Sequence, residues 1–268
     1  MSQPSLAWPV RWSFALLFSF AFVARGANQS FVIVPNQTVT NGVPSAGAGV
    51  LESPGDTDTY TFAATRGQRL FFDELTGNGC SGTLTWSLTG PEGQVLFNQR
   101  FAALSNCGSG PDAGTVVVPS DGTYTLVVRA PNDWVEAYSF RIVPIVDHAA
   151  VVAIGDTVTY SLATPGSVDS YAFTGAAGQR VFFDELTGNG CSGSLAWSLT
   201  APDGEVLFNQ RFAALSNCGS GPDAGTVDLP SGGTNTLQIR GANDWVEAYS
   251  FRIVPIVDHD AVVAIGDT

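Results

Sequence analysis

The stretch Phe71–Gly82, which reads FFDELTGNGCSG, returns without a single change as Phe182–Gly193. The longer stretch 95–116 returns at the same offset, without gaps, as 206–227. Solenoid repeats are about 20–45 residues long and depend on their neighbours for a core. The unit here, of about 111 residues, is long enough to bury a core of its own. The sequence therefore predicts two copies of one domain.

Apolar residues alternate with polar ones along each unit, as they do in β-strands that bury one face. Leu84, Trp86 and Leu88 fall on one face of such a strand, and the runs 123–128 and 138–142 alternate in the same way. Clusters of Gly, Pro, Asn and Asp separate the runs and predict turns. Further strand candidates are 50–53, 58–63, 68–75, 94–102 and 114–119. About eight short strands in each unit predict an all-β fold of two packed sheets.

The opening and closing strands of the unit resemble those of a known family. Residues 55–62 (GDTDTYTF) with 67–70 (GQRL) are similar to the opening of the bacterial pre-peptidase C-terminal domain. Residues 121–128 (DGTYTLVV) are similar to its closing strand. The second unit keeps the opening as Asp169–Phe173, but Asn235 stands where the family has Tyr. The resemblance covers both units.

This resemblance implies tandem jelly-roll-like antiparallel β-sandwiches, appended to secreted peptidases or strung along large surface proteins. Relatives of the fold bind collagen or glycans, sometimes with calcium. The matching motifs are structural, so they imply no binding residue in this chain.

The domain boundaries follow from the repeat. We expect a signal peptide (1–26), an N-terminal strand or linker (27–43), a first sandwich (44–148), a second sandwich (149–260) and the start of a truncated third repeat (261–268). The last eight residues copy 150–157, and truncation is favoured over a capping strand because an isolated opening strand has no core. Residues 30–35 (SFVIVP) echo 139–144 (SFRIVP), either as a vestige of an earlier unit or as a strand of similar pattern.

The N-terminus has the features of a signal peptide. Arg11 precedes an apolar run at 12–24, and Ala24 and Gly26 place small side chains before a cleavage site. The run is shorter than the roughly 20 residues that a spanning helix needs, so we expect no stable membrane span. An uncleaved anchor is the alternative. The prediction is a secreted or cell-surface protein.

The charge of the chain excludes one class of partner. The formal net charge is −13, and all 11 basic residues are Arg. A chain this acidic repels phosphate backbones, and no Arg cluster overrides the net field. We therefore expect no nucleic acid partner.

The four cysteines predict one disulfide in each unit. Cys107 follows Cys80 at the same spacing at which Cys218 follows Cys191, so the economical pairing is Cys80–Cys107 and Cys191–Cys218. Closing a loop of this length stabilises a domain by roughly 3–4 kcal/mol. Buried free thiols are the alternative, which export disfavours. A metal site is less supported, because no C-x-x-C accompanies them.

The sequence carries no catalytic constellation. His148 and His259 are repeat equivalents, and neither Gly-x-Ser-x-Gly nor His-Glu-x-x-His occurs. Asp147 and His148 are neighbours, and so are the acids Asp73–Glu74, but neighbours on a strand point to opposite faces. The prediction is a protein that is not an enzyme, without catalytic residues.

Calcium is the only cofactor for which the sequence offers candidate ligands. Oxygen-rich turns at 56–58, 73–78 and 132–133 suit a hard cation. None has the spacing of an EF-hand, and Asp and Asn are ordinary turn residues. We therefore expect no resident cofactor or metal, with calcium as the alternative.

Two of the tryptophans are candidate ligand-binding residues. Trp134 and Trp245 each follow Asn-Asp in a turn-like stretch, where an exposed indole could stack on a sugar or contact a protein. The alternative is a Trp that closes the end of the core. Trp86 and Trp197 alternate with small polar residues among leucines, which predicts core packing.

The functional prediction is a non-catalytic spacer or adhesive segment of a secreted or cell-surface bacterial protein. The alternative is an accessory module that targets a secreted enzyme, such as a peptidase, to glycan or matrix protein. Further repeats or a catalytic domain in the same chain would distinguish them. Residues 140–154 contain no Gly-rich or Ser-rich stretch, which predicts an ordered joint with His148 at its centre.

Overall fold

The structure is a computed structural model that describes residues 28–76, 84–101, 112–130, 134–187, 195–212, 224–242 and 245–257. These residues form twenty β-strands and no helix, which confirms the all-β prediction. Accordingly, the described part of the chain offers no helix of the length and hydropathy that a membrane crossing requires. The signal-peptide segment, the four cysteines, His259 and the start of the third repeat all lie outside the described residues.

The strands of the first sandwich are β1 (Asn28–Val32), β2 (Thr38–Val39), β3 (Val50–Leu51), β4 (Thr57–Ala64), β5 (Arg69–Thr76), β6 (Thr85–Thr89), β7 (Val95–Arg100), β8 (Gly114–Val117), β9 (Gly122–Arg129), β10 (Glu136–Ala137) and β11 (Ser139–Pro144). They form a five-stranded sheet ordered β1-β4-β9-β6-β7 and a four-stranded sheet ordered β2-β11-β5-β8. A short pair, β3 with β10, completes the domain.

The strands of the second sandwich are β12 (His148–Val151), β13 (Thr157–Ser161), β14 (Val168–Gly175), β15 (Arg180–Thr187), β16 (Leu195–Thr200), β17 (Val206–Phe212), β18 (Gly225–Asp228), β19 (Gly233–Gly241) and β20 (Ala248–Pro255). Its two main sheets repeat the topology of the first sandwich, with the strand orders β12-β14-β19-β16-β17 and β13-β20-β15-β18. The pairing is antiparallel as predicted, except that β1–β4 and β12–β14 are parallel.

The core of each sandwich lies between its two sheets and is rich in aromatic rings. Leu84, Trp86 and Leu88 are buried, as their alternation predicts, and so are the equivalent residues of the second sandwich. The ring of Trp86 contacts Phe101 edge to face, with 4.8 Å between centroids. Aromatic side chains bury about 150–250 Å² each, so they contribute a large share of the buried apolar area.

The N-terminal boundary of the first sandwich differs from the prediction. Residues 28–32 form β1 and pair in parallel with β4, and β2 pairs with β11. These contacts are the ones that β12 and β13 make in the second sandwich. The first sandwich therefore begins by residue 28 rather than at 44, and residues 30–32 of the SFVIVP stretch lie in its opening strand. A parallel pairing between distant segments leaves no local sequence signal.

Candidate functional site: the joint between the sandwiches

Only three residues separate the last strand of the first sandwich from the first strand of the second, and their backbone is hydrogen-bonded to both sandwiches. The N–H of Ile145 donates to the carbonyl oxygen of Arg69 at 2.9 Å. The N–H of the next residue, Val146, donates to the hydroxyl oxygen of Thr164 at 3.0 Å. Each bond anchors the connection to a different sandwich.

Arg69 and Asp147 form the polar centre of the joint. The guanidinium of Arg69 donates to the carboxylate of Asp147 and, at 3.0 Å, to the carbonyl oxygen of Gly166. The other carboxylate oxygen of Asp147 accepts the N–H of Val168 at 2.8 Å. Both side chains are partly exposed, and ion pairs of this kind contribute only about 0–1 kcal/mol. Their main effect is therefore to fix orientation rather than stability.

The turn Thr164–Ser167, which we call the joint turn, lies directly against the first sandwich. Gly166 in this turn has φ +73°, which favours glycine. A Cβ atom there would lie 2.7 Å from the Thr115 hydroxyl oxygen, 2.9 Å from a ring carbon of Phe71 and 3.0 Å from a methyl of Ile145. The surface that receives the turn, the joint face, consists of Arg69, Phe71, Thr115 and Ile145.

His148 lies at the joint, but its ring is directed into the second sandwich. The imidazole stacks on the ring of Tyr160 with 4.1 Å between centroids and contacts Tyr171 edge-on at 5.8 Å. Asp147, the preceding residue, is bonded to Arg69 and Val168 instead. The two neighbours therefore serve different contacts, and no acid–base pair forms between them.

Each sandwich buries one carboxylate near the start of a long strand, Asp58 in β4 and Asp169 in β14. In the first, Tyr138 donates its hydroxyl proton to Asp58, and the hydroxyl oxygens of Tyr138 and Tyr60 lie 2.8 Å apart. Burial raises the pKa of Asp58 to about 6, although the hydrogen bond from Tyr138 acts in the opposite direction and lowers this pKa. The other oxygen of this carboxylate has no hydrogen-bond partner among the described residues. The charged form is therefore poorly solvated.

The second sandwich repeats this arrangement. Tyr249 donates to Asp169, and its hydroxyl oxygen lies 2.6 Å from that of Tyr171. Burial is again the main cause that raises the pKa of Asp169, while the nearby His148 lowers it. Asp58 and Asp169 are the acids of the Asp-x-Tyr-x-Phe strand, so this motif supplies a core hydrogen bond.

The acidic pair Asp73–Glu74 lies within the four-stranded sheet of the first sandwich. Both residues are buried, and Asp73 is paired with Arg141 at 2.6 Å. The equivalent pair in the second sandwich, Asp184 with Arg252, is 2.7 Å long. These acids thus stabilise the strand pairing β5–β11 and its copy.

The oxygen-rich turns have internal partners where the structure describes them. The carboxylate of Asp56 accepts the N–H of Ser53 at 2.6 Å, and Asp58 accepts from Tyr138. The described residues contain no group of three or more side chains suited to hold a metal ion. Residues 77–78 and 132–133 of the other two turns lie outside the described part of the chain.

Trp134 and Trp245 are exposed, unlike the core tryptophans. Their exposed fractions are 43% and 44%, and the valine that follows each of them is exposed to a similar degree. The two indoles occupy equivalent positions in the two units, just before the short segment that leads into the closing strand. Each sandwich therefore presents a small apolar patch to solvent.

Two residues of the joint were not singled out by the sequence. Arg69 and Gly166 are 97 residues apart in the sequence, so no pattern in the neighbouring residues of either one indicates that the two are in contact. The repeat gave an indirect signal for this contact, because a Pro-Gly turn recurs at the same place in both units, as Ser53–Asp56 and Thr164–Ser167. A turn that both units share at the same position is a candidate for a contact that the repeat also preserves.

No protein-family model and no curated protein matches the chain. Among solved structures, the pre-peptidase C-terminal domain of a Bacillus anthracis collagenase is similar at 14% identity and TM-score 0.31, over 40% of this chain and 96% of that chain. This is the family that the sequence resembles.

Two further solved structures are similar over most of the chain. The CUB1-EGF-CUB2 domains of rat MASP-1 match at 12% identity and TM-score 0.28, over 83% of this chain and 99% of that one. A Paenibacillus xanthan lyase matches at 15% identity and TM-score 0.26, over 83% of this chain and 25% of that one. The strand pairing within the two sheets of each sandwich defines the fold.

Proposed function

We propose that this chain is a non-catalytic extracellular spacer in which tandem sandwiches are held at a fixed angle to one another. The joint carries the proposal. Asp147 accepts hydrogen bonds from both sandwiches, from Arg69 on one side and Val168 on the other. Such a bridge restrains rotation about the three-residue connection.

The composition of the connection supports a spacer rather than a tether. Flexible linkers are rich in Gly and Ser, whereas this connection reads Ile145-Val146-Asp147 directly after Pro144. Proline fixes one backbone dihedral of its own residue. Packing of Gly166 against Phe71, which is only 3% exposed, further limits the angles that the second sandwich can adopt.

Small-angle scattering of the secreted protein tests this proposal. We expect scattering that a single arrangement of the two sandwiches reproduces, with a narrow spread of inter-domain distances. An Arg69→Gln variant should broaden that spread, while Arg66→Gln, a change to an exposed arginine outside the joint, should not. A broad ensemble in the unmodified protein would contradict the spacer function.

The exposed tryptophans favour a second candidate, an accessory module that binds glycan. Indole rings stack on sugar faces, and Trp134 and Trp245 present theirs to solvent at equivalent positions. The two patches would bind a repetitive ligand with avidity.

Binding to immobilised polysaccharides tests the second candidate. If the chain binds glycan through these indoles, the unmodified protein is retained on the resin. A Trp134→Ala/Trp245→Ala double variant should then bind with an affinity at least about tenfold lower, since two stacking contacts are lost. The matched control is Val95→Ala/Val206→Ala, which removes exposed apolar side chains elsewhere in both sandwiches. Equal retention of all three proteins would exclude a role for the indoles.

A further inference from the structure

The cores of the two sandwiches differ at one end, where a buried tyrosine of the first is an asparagine in the second. Tyr124 and its repeat equivalent Asn235 are both fully buried, at 0% exposure. Each lies near the start of a long strand, β9 or β19, on the side that faces the core. A buried amide needs hydrogen-bond partners, so the exchange of a phenol for an amide raises the question of what those partners are.

In the first sandwich, the hydroxyl group of Tyr124 is bonded to the backbone of Ser120. It donates to the carbonyl oxygen of Ser120 at 2.7 Å and accepts the N–H of the same residue at 3.4 Å. The ring of Tyr124 stacks on Phe62 with 5.7 Å between centroids. The phenol therefore fills this end of the core and also bonds two backbone groups of the turn before β9.

In the second sandwich, the shorter side chain of Asn235 does not make these bonds. Its amide nitrogen donates to the carbonyl oxygen of Gly233 at 3.4 Å, and its amide oxygen has no hydrogen-bond partner among the described residues. The repeat equivalent of Ser120 is Ser231, whose hydroxyl oxygen is also buried without a partner, as that of Ser120 is. Polar atoms of Asn235 and Ser231 therefore face the space that the Tyr124 hydroxyl takes in the first sandwich.

The apolar side chains around this position have changed together with it. Val118 of the first sandwich is Leu229 in the second, and Ala64 is Gly175. A Cβ atom on Gly175 would lie 2.2 Å from a methyl carbon of Leu229 and 3.6 Å from the amide nitrogen of Asn235. The three residues are thus close neighbours, and the larger leucine takes the space of the missing methyl. Leu229 adds apolar volume here, but it has no atom that can bond the polar groups.

We propose that the second sandwich binds a buried water molecule between Asn235 and Ser231, where the Tyr124 hydroxyl lies in the first. The water donates to the amide oxygen of Asn235 and to the carbonyl oxygen of Ser231, and it accepts the N–H of Ser231. About three hydrogen bonds are typical of an internal water, and such waters bind buried polar groups that lack other partners.

The first sandwich explains why the water belongs to the second alone. There the phenol of Tyr124 already bonds both backbone groups of Ser120, so only the hydroxyl group of that serine is left over. A single polar group does not hold an internal water, which needs two to four partners. Ser120 is therefore an internal control for Ser231 in the same chain.

A high-resolution crystal structure of the secreted protein tests the proposal. One ordered water should lie about 2.7–3.2 Å from both the amide oxygen of Asn235 and the carbonyl oxygen of Ser231, and none should lie at Ser120. In solution, a nuclear Overhauser effect between water and the N–H of Ser231 should report the same molecule. A dry space beside Asn235, or an amide that bonds Ser231 directly, would overturn the proposal.

Two variants test whether the water depends on the amide. Asn235→Leu keeps the approximate shape of the side chain but removes its oxygen, so the water and its Overhauser effect should be lost. The triple variant Gly175→Ala/Leu229→Val/Asn235→Tyr has the side chains of the first sandwich at all three positions. It should bond Ser231 through the new hydroxyl and exclude the water, which keeps the test open if Asn235→Leu does not fold.

The matched control is Asn209→Leu, which changes an exposed asparagine of the same sandwich and should keep the water. A water that persists beside Ser231 in both Asn235→Leu and the triple variant would show that the amide does not hold it, and would refute the assignment. The spacer function does not depend on this result, because the joint involves none of these residues.

Discussion

Asp58 and Asp169 occupy equivalent positions, and each carboxylate is buried against a tyrosine hydroxyl. A carboxylic acid whose pKa is raised by folding favours the folded state most when it is protonated. The pKa of Asp58 rises from 3.8 to about 6, so the folded state binds the extra proton between these two values. Stability from this residue is therefore highest at low pH and falls as the pH rises towards 6.

The first prediction follows from this direction of the pH dependence of stability. Between pH 4 and pH 7 the free energy of unfolding of the first sandwich should fall by about 2–3 kcal/mol through Asp58. In an Asp58→Asn variant, which has no charge to bury, this part of the fall should be absent. Urea unfolding at the two pH values measures it.

The control for this experiment is Asp203→Asn, which changes an exposed aspartate. It should keep the pH dependence of the unmodified protein. If Asp58→Asn also keeps that dependence in full, the buried carboxylate does not titrate as described.

At the scale of elements, alternation was enough to place most strands. The strands around Trp86, Tyr124 and Phe140 were predicted within a few residues, because each has one face in the core and turn residues at its ends. An N-terminal strand or linker at 27–43 was predicted too, but its parallel partner was not. Parallel partners are joined by long crossovers, so nothing in the adjacent sequence names them.

The second prediction tests the place of β1. Phe31 is buried and stacks on Tyr60 with 5.1 Å between ring centroids, whereas Val32 is 79% exposed. Phe31→Ala should destabilise the first sandwich by about 3–5 kcal/mol, and Val32→Ala by less than about 0.5 kcal/mol. Denaturant unfolding of the two variants gives the comparison. If residues 28–32 were only a linker, both changes would be neutral.

At the scale of the whole molecule, the repeat predicted two domains, and the lack of a Gly-rich or Ser-rich stretch in residues 140–154 predicted an ordered joint between them. The contacts that align them were beyond sequence reasoning, because Arg69, Asp147 and Gly166 come from three separate segments. Only the fold brings the start of β5, the connection and the joint turn together. The exposure of Trp134 and Trp245 could likewise not be distinguished from burial before the structure was known.

The central claim is that Gly166 seats the joint turn on the first sandwich and so fixes the angle between the two sandwiches. Asn tolerates a positive φ better than most residues, so Gly166→Asn tests the close contact rather than the backbone. Gly178→Asn is the matched control, because its φ is +74° against +73° and its site is open.

Spin labels carried by non-canonical residues at the equivalent exposed positions Val95 and Val206 report the distance between the sandwiches. Double electron–electron resonance should give a narrow distance distribution for the otherwise unmodified protein and for Gly178→Asn, and a broad one for Gly166→Asn. A broad distribution in the unmodified protein, or a narrow one that Gly166→Asn leaves unchanged, would contradict the claim that this joint holds the sandwiches at a fixed angle.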